Sequence, residues 1–451
     1  MFSIKMDIII AGDGEVGFHL AKTLSKIHHN ITVIDSDSEL LRLLQTDNDL
    51  LTITGHSTSI KTLKEAGIGE CDLLISVLHE ENINIITCIL GKRLGAKRTI
   101  ARVSSIEYLN DDNKSMFKAL GIDEMVSPER IAAKEITNLL SRNTATEVFD
   151  FSGGLLSIYM TRLDDDTAFT NKKIVEIAQL YPQMDARIVC IIRKGQTIIP
   201  GGEDYFLSGD LVYLLLRPDS LKIIESLFKK HEFTIKKAMI LGGGRIGRRA
   251  ALNLQDKIQL KIIEKDKNRC YILADDLDKT LIINGNGSDI SLLTDEGLKE
   301  MDAFIATTGS TETNILSCLH AHKHGVKKTV ALVENIGYID VSQDIGIDTI
   351  INKKLITASY IARFTLGGEV TSSKWLSGID AEVFEVIVKE KSPATKDIVM
   401  NLTIPDGVSI GGVIRDGQSF IARGNTQIET GDKVVVFSLP ESAAKAMKLF
   451  N

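Results

Sequence analysis

No run of 18 or more apolar residues occurs in the sequence, which excludes a membrane-spanning helix within it. The opening segment, MFSIKMDIIIAG, lacks the long apolar core and small-residue cleavage site of a signal peptide and leads straight into an expected strand. Cysteine is sparse. Cys71, Cys88, Cys190, Cys270 and Cys318 lie far apart with no CxxC pair, which argues against a disulfide framework or a zinc knuckle. An excess of basic residues is also missing: 53 Lys plus Arg against 60 Asp plus Glu leave a net charge of −7, which speaks against a nucleic-acid partner or an anionic membrane surface. No P-loop, GxSxG or Cys/His arrangement appears. A cytoplasmic protein is the simplest expectation.

What is present is a long, ordinarily composed chain. Its 451 residues, 43% hydrophobic and 25% charged, suffice for several domains with sizeable cores. Internal repetition organises it. DIIIAGDGEVG at 7–17 matches KAMILGGGRIG at 237–247, CDLLISVLHEENIN from Cys71 matches MDAFIATTGSTETN from Met301, and AKRTIARVSSIEY from Ala96 matches VKKTVALVENIGY from Val326. LGIDEMVSPERIAAKEI from Leu120 then aligns with IGIDTIINKKLITASYI from Ile345. Further on, RKGQTIIPGGEDYFLSGDLVYLL from Arg193 matches RDGQSFIARGNTQIETGDKVVVF from Arg415. Five collinear matches imply duplication of a large lobe followed by a small one.

In each large lobe short apolar runs (IIIAG, ITVID, LLTITG, DLLISVL, TIARV) alternate with helical segments such as VGFHLAKTLSKI and NINIITCILGKRLG. That pattern predicts a parallel sheet with helices on both faces. The small lobes, near 155–217 and 377–438, combine short strands, Gly-rich turns and one or two helices, an α+β pattern. The expected fold is therefore α/β: two Rossmann-like parallel-sheet lobes, each followed by a small α+β lobe. The expected divisions are 1–142, 143–231, 232–366 and 367–451, with linkers near 143–150, near 229–236 and around Leu366–Gly367–Gly368.

Gly12, Gly14 and Gly17 follow an expected strand and open an expected helix, and Asp35 ends the next strand. In such a unit the first glycine makes the tight turn, the second lets backbone approach a pyrophosphate, and the third permits close helix–strand packing. The helix N-terminus offers N–H groups to phosphate. An aspartate at this spacing accepts from both ribose hydroxyls and repels a 2′-phosphate, which favours NAD(H) or an adenine nucleotide over NADP. Arg102, at a strand's carboxyl end, is placed either to pair with phosphate or to form a surface ion pair. In the second lobe Gly242, Gly244 and Gly247 repeat the turn, Glu264 takes the acidic place, and Arg245 is either a phosphate contact or solvated. There Val77 and Leu78 become Thr307 and Thr308, and Arg102 becomes Leu332, so the second site should take a different nucleotide or bind more weakly. Thr54–Gly55 and Asn284–Gly285 occupy equivalent strand ends, as contacts to the base or ribose or as plain turns.

A dehydrogenase needs a substrate domain and an acid/base group at the nicotinamide. The small lobes are short for that role, and His56, the nearest candidate, has Asn286 as its counterpart. His320, His322 and His324 place only the first and last on one helical face, without the glutamate of HExxH, so a solvated face is expected. His79-Glu80-Glu81 and the acidic Asp164–Asp166 cluster read as solvated segments. The nucleotide therefore reads as an effector.

The order of lobes, with GDGEVG…VIDSD and GGGRIG…IIEKD, resembles the TrkA family of cytoplasmic regulatory subunits of bacterial Trk potassium-uptake systems. DLLISVLHEENIN and TIARV look like its first RCK/KTN (regulator of K⁺ conductance) domain, and SGDLVYLL and TGDKVVVF look like TrkA-C lobes. The resemblance spans essentially the whole chain. It implies a non-enzymatic subunit that binds NAD(H) and ATP or ADP and assembles into a tetrameric ring on a Trk-type membrane subunit at the inner face of the cell membrane. It carries the first site to Gly12, Asp13, Gly14, Glu15, Val16, Gly17, Asp35, Thr54, Gly55, Val77, Leu78 and Arg102. It carries the second to Gly242, Gly243, Gly244, Arg245, Ile246, Gly247, Glu264, Asn284, Gly285, Thr307 and Thr308, with Leu332 departing from the pattern. The alternatives are an NAD-dependent oxidoreductase, or a regulator of another K⁺ or cation transporter.

Overall fold

A computed structural model of the chain describes residues 6–12, 14–26, 29–47, 50–140, 147–163, 165, 167–182, 184–193, 196–227, 235–362, 364, 370–375 and 381–451. Two six-stranded parallel sheets and two five-stranded antiparallel sheets alternate along it. The first sheet holds β1 (Asp7–Ala11), β2 (Asn30–Asp35), β3 (Leu51–Thr54), β4 (Leu73–Ser76), β5 (Arg98–Arg102) and β6 (Glu124–Val126), in the order β3-β2-β1-β4-β5-β6. The third repeats it with β12 (Lys237–Leu241), β13 (Gln259–Glu264), β14 (Thr280–Asn284), β15 (Ala303–Ala306), β16 (Lys328–Leu332) and β17 (Thr349–Ile351), in the order β14-β13-β12-β15-β16-β17. This is the doubly wound Rossmann order, whose reversal beside the first strand opens a crevice at the strands' carboxyl ends. Helices cover both sheet faces, so β4 and β15 are buried at every residue and read as unbroken apolar runs.

The smaller sheets also repeat one topology. β7 (Glu147–Phe151), β8 (Leu156–Arg162), β9 (Ala186–Arg193), β10 (Gln196–Ile198) and β11 (Leu211–Leu216) run in the order β10-β9-β11-β8-β7. β18 (Val370–Trp375), β19 (Glu382–Ile387), β20 (Val408–Arg415), β21 (Gln418–Ile421) and β22 (Lys433–Ser438) run as β18-β19-β22-β20-β21. In each, an arginine closes the Gly-Asp turn with a bidentate pair to a buried aspartate. Arg193 Nη2 lies 2.7 Å from Asp210 Oδ2, and Arg415 Nη2 lies 2.8 Å from Asp432 Oδ2. β7 takes up Glu147–Phe151, so the end of the expected 143–150 linker is strand; its edge position needs no alternating buried face, which leaves little periodicity to read. Residues 143–146, 229–234 and Leu366–Gly367–Gly368 lie outside the described residues, as do Asp164 and Asp166. Ile235 is buried in the second large lobe.

The two halves are interleaved. The last helix of the first large lobe, Pro128–Leu140, buries Ala132, Ala133 and Ile136 in one core with Ile246, Ala250 and Leu254 of the second glycine-turn helix, Arg245–Leu254. Reciprocally, the second crossover helix, Lys353–Ala362, buries Ala358 and Ile361 against Leu20, Ala21 and Leu24 of the first glycine-turn helix, Glu15–Lys26. Alanines at these crossings allow the helices to approach closely. Arg98 fastens the second exchange: its Nη1 donates to the Phe364 carbonyl at 3.0 Å and its guanidinium lies over the Phe364 ring. The small sheets share a core too, with Leu156, Ile158 and Tyr213 packing together with Val383, Ile414 and Phe437.

Candidate functional site

The first glycine turn is shaped by what its residues cannot carry. Gly12 has φ +101°, and a Cβ on Gly17 would lie 1.7 Å from the Gly12 carbonyl oxygen. A Cβ on Gly14 would meet nothing within 4 Å, because this glycine faces open space. The three positions thus serve tight turn, packing and ligand approach separately. Gly242 (φ +96°), Gly247 (Cβ 2.0 Å from the Gly242 carbonyl) and Gly244 (nothing within 4 Å) repeat the arrangement.

Over the first turn lies a cavity of about 480 Å³. Of the residues expected there, Gly12, Gly14, Val16, Asp35, Gly55, Val77, Leu78 and Arg102 line it. Gly17 packs beneath, against the Gly12 carbonyl. Thr54 instead lines a neighbouring depression with Ser38 and Arg42, since it pairs in register beside Asp35 on the next strand. Asp13 and the side chain of Glu15 lie outside the described residues. The remaining wall includes His56, Ser57, Thr58, His79, Glu80 and Pro128 of the same lobe, together with Glu334, Lys353 and Lys354 of the second.

Asp35 stands half-buried at the end of β2, where its Oδ1 accepts from the Asp37 amide at 2.9 Å. Arg102 is mostly buried and faces Glu129 at 3.9 Å, a long contact. Arg102 Nε and Glu129 Oε2 are buried, and neither has a hydrogen-bond partner among the described residues. The unpartnered Arg102 Nε is a donor with capacity left for an anionic ligand, whereas the Glu129 oxygen can only accept.

Asn84 fixes the crevice floor. Its Nδ2 donates to the Leu78 and Arg102 carbonyls, both at 2.9 Å, while its Oδ1 accepts from Ser76 Oγ and the Leu78 amide. Asn314 does the same in the second lobe, donating to the Thr308 and Leu332 carbonyls. Glu81, expected to be solvated, instead accepts from the Ser104 and Ser105 amides at 2.7 and 2.9 Å and holds the loop after β5. Its helix-start position next to that loop, rather than any local sequence signal, decides this. His79 and Glu80 are exposed.

The second site is built differently. Glu264 is only 3% exposed; its Oε2 accepts from the Gly243 amide at 2.8 Å and lies 3.3 Å from Arg269 Nη1, and its Oε1 accepts from the Asp266 amide. Asn284 Nδ2 donates to the Glu264 and Lys265 carbonyls, and Gly285 packs against Leu292. Thr307 Oγ1 donates to the Gly242 carbonyl, and Thr308 Oγ1 lies 2.7 Å from Asn314 Oδ1. Arg245 is exposed, Ile246 is buried in the exchanged-helix core, and Leu332 is buried at 4% where Arg102 stands in the first lobe. These groups satisfy one another.

The remaining candidates sit apart. His320 and His324 stack edge-to-face with centroids 4.3 Å apart, and His322 is exposed. Among the described residues no group of three or more His, Cys, Asp or Glu could hold a metal ion.

Comparison with known proteins fits this geometry. Residues 8–128 and 238–353 match the TrkA-N domain family, and residues 383–451 match the TrkA-C domain family. The chain belongs to the TrkA family. It is 33% identical to the Trk system potassium uptake protein TrkA of Haemophilus influenzae, over 99% of this chain and 98% of that one. It is 30% identical to the protein of the same name from Halomonas elongata, over 96% and 95%. In fold it resembles the crystal structure of the GsuK RCK domain (TM-score 0.60, 18% identity, 98% of this chain and 94% of that one). It also resembles the GsuK channel bound to NAD (TM-score 0.61, 19% identity, 98% and 78%). This chain carries two TrkA-N matches in tandem; among its described residues no helix is long and apolar enough to cross a membrane.

Proposed function

We propose that this TrkA-family chain is the nucleotide-sensing regulatory subunit of a Trk-type potassium-uptake system, binding nucleotide without transforming it. The observation that carries the reading is the first-lobe cavity. It combines an open Gly14, Asp35 at the β2 end and Arg102, whose buried Nε has no hydrogen-bond partner among the described residues. In it, turn amides and Arg102 would hold the phosphates of NAD(H), ATP or ADP, and Asp35 would hold the ribose. The second site keeps its turn but has its acid engaged by Gly243 and Arg269, so it would be the weaker sensor. The division into lobes at 1–142, 143–231, 232–366 and 367–451 goes with this reading, the large lobes binding and the small ones transmitting.

Assembly into a homo-oligomeric ring, a tetramer by family resemblance, is supported by repeated exposed apolar residues. Ile86, Ile106, Met116 and Leu120 of the first lobe have Leu316, Ile336, Val341 and Ile345 at the matched positions of the second, each more than a third exposed. Two like apolar faces on one chain suit ring closure between copies. The ring would sit in the cytoplasm at the inner face of the membrane through its Trk-type partner.

The test is co-purification with a Trk-type membrane subunit, alongside titrations with NAD⁺, NADH, ATP and ADP. Capture of the membrane subunit and saturable binding without turnover are expected. Absence of binding, or oxidation of NADH by an added carbonyl compound that takes the hydride while His56 supplies the proton, would overturn the reading in favour of another transporter partner or an oxidoreductase.

A further inference from the structure

The first-lobe cavity is not closed by the first lobe. Lys353 and Lys354 line it beside Gly14 and Arg102, together with Glu334. Both lysines open the second crossover helix, and the burial of Ala358 and Ile361 against Leu20 and Leu24 brings that helix to the first lobe. Lys353 Nζ lies 2.5 Å from Glu334 Oε1, with both side chains partly exposed. The repeat gives this cluster no counterpart. At the start of the first crossover helix the matched residues are Pro128 and Glu129, and Ser104 stands where the second lobe has Glu334. The duplicated fold therefore brings two lysines to the lining of the first cavity, and the matched positions of the first crossover helix hold none.

We propose that Lys353 and Lys354 read how many phosphate charges the first-site ligand carries, and that they select adenine nucleotides ending in a free phosphate over NAD. This rests on the reading that the cavity binds a nucleotide. Both phosphates of NAD are esterified to ribosides, whereas ADP and ATP end in a phosphate that bears extra charge and free acceptor oxygens. Ammonium groups carried on another lobe gain most from that extra charge. Glu334 competes for Lys353, so a terminal phosphate draws Lys353 away from a carboxylate rather than from water. The second crossover helix also packs against β18 of the second small lobe, so a phosphate held at its first residues acts on that lobe as well.

The experiment is calorimetric titration of the full-length chain with ATP, ADP and NAD⁺ at fixed ionic strength. It compares the wild type, the Lys353→Gln/Lys354→Gln double variant, each single variant and Glu334→Gln, with melting curves as the control for folding. The double variant should lose about tenfold or more in ATP and ADP affinity while NAD⁺ stays within about twofold, and its salt dependence for ATP should flatten. Glu334→Gln should bind ATP more tightly. Should the double variant melt abnormally, the singles and Lys353→Arg/Lys354→Arg serve, the arginine pair retaining the preference. An unchanged ratio of ATP to NAD⁺ affinity in folded variants overturns the inference. Loss of all binding in the wild type instead overturns the functional reading beneath it, and Asp35→Ala marks that case separately by weakening every nucleotide.

Discussion

The carboxylate of Glu264 accepts a hydrogen bond from the amide of Gly243 at 2.8 Å, so the acid of the second glycine site is spent on its own turn. Asp35, its counterpart, lines an open cavity. Glu264→Ala should therefore act on stability, leaving the buried Gly243 N–H without an acceptor at a cost of about 1–3 kcal/mol. Asp35→Ala should act on binding. Thermal melts and nucleotide titrations of the two variants check this; interchanged effects would contradict it.

The glycines of the first turn separate folding from ligand approach. Gly14→Ala adds a methyl to open space and should melt with the wild type while losing most nucleotide affinity. Gly17→Ala would press its Cβ onto the Gly12 carbonyl and should lower the melting temperature as well. Circular-dichroism melts with parallel titrations read both. Wild-type binding by Gly14→Ala would remove the phosphate from this turn.

Helix exchange couples the halves. Ile361 belongs to the second large lobe in sequence yet is fully buried against the first. Ile361→Ala should cost about 2–5 kcal/mol. Its effect should appear in the first lobe: hydrogen exchange along Leu20–Leu24 should quicken. Protection lost only in the second lobe would mean that the exchanged helix carries no coupling.

His320 gives the chain an acid-sensitive point. Its Nε2 is buried without a hydrogen-bond partner among the described residues. Burial first, then His324 and Lys323, lower its pKa. The folded state thus binds the proton less readily than the unfolded chain, whose histidine titrates at about 6.5. Its contribution is complete above that pH and is lost as pH falls toward the lowered folded value. Melting temperature should drop between about pH 7 and 5, and His320→Asn should flatten that drop. Parallel slopes for the two proteins would assign the acid sensitivity elsewhere.

Much of this was legible in the sequence because it is local or repeated. Buried parallel strands such as IIIA and LLIS announce themselves as apolar runs, and the duplication exposed the alternation of lobes even where one copy is less regular. Gly12, Gly14 and Asp35 were placed by spacing, since a strand–turn–helix unit fixes their positions, and Arg102 by its place at the carboxyl end of an expected strand; all four line the cavity. What escaped depends on contacts between distant segments. Lys353 and Lys354 reach the first cavity only because the crossover helices exchange, and no window around residue 353 encodes that it shares a cavity with Gly14. Glu81 read as solvated because its partners, the Ser104 and Ser105 amides, are backbone groups. Thr54 read as a site residue because strand ends look alike until register assigns the face. Edge strand β7 passed for linker because an edge needs less burial.

The most direct test of the central claim is potassium flux into proteoliposomes that carry a Trk-type membrane subunit, with this chain added from the outside alongside ATP, ADP or NAD(H). Flux should depend on both the chain and the nucleotide, with the nucleotide recovered unchanged and its effect lost in Gly14→Ala. Flux indifferent to nucleotide, or equally responsive in Gly14→Ala, would contradict it.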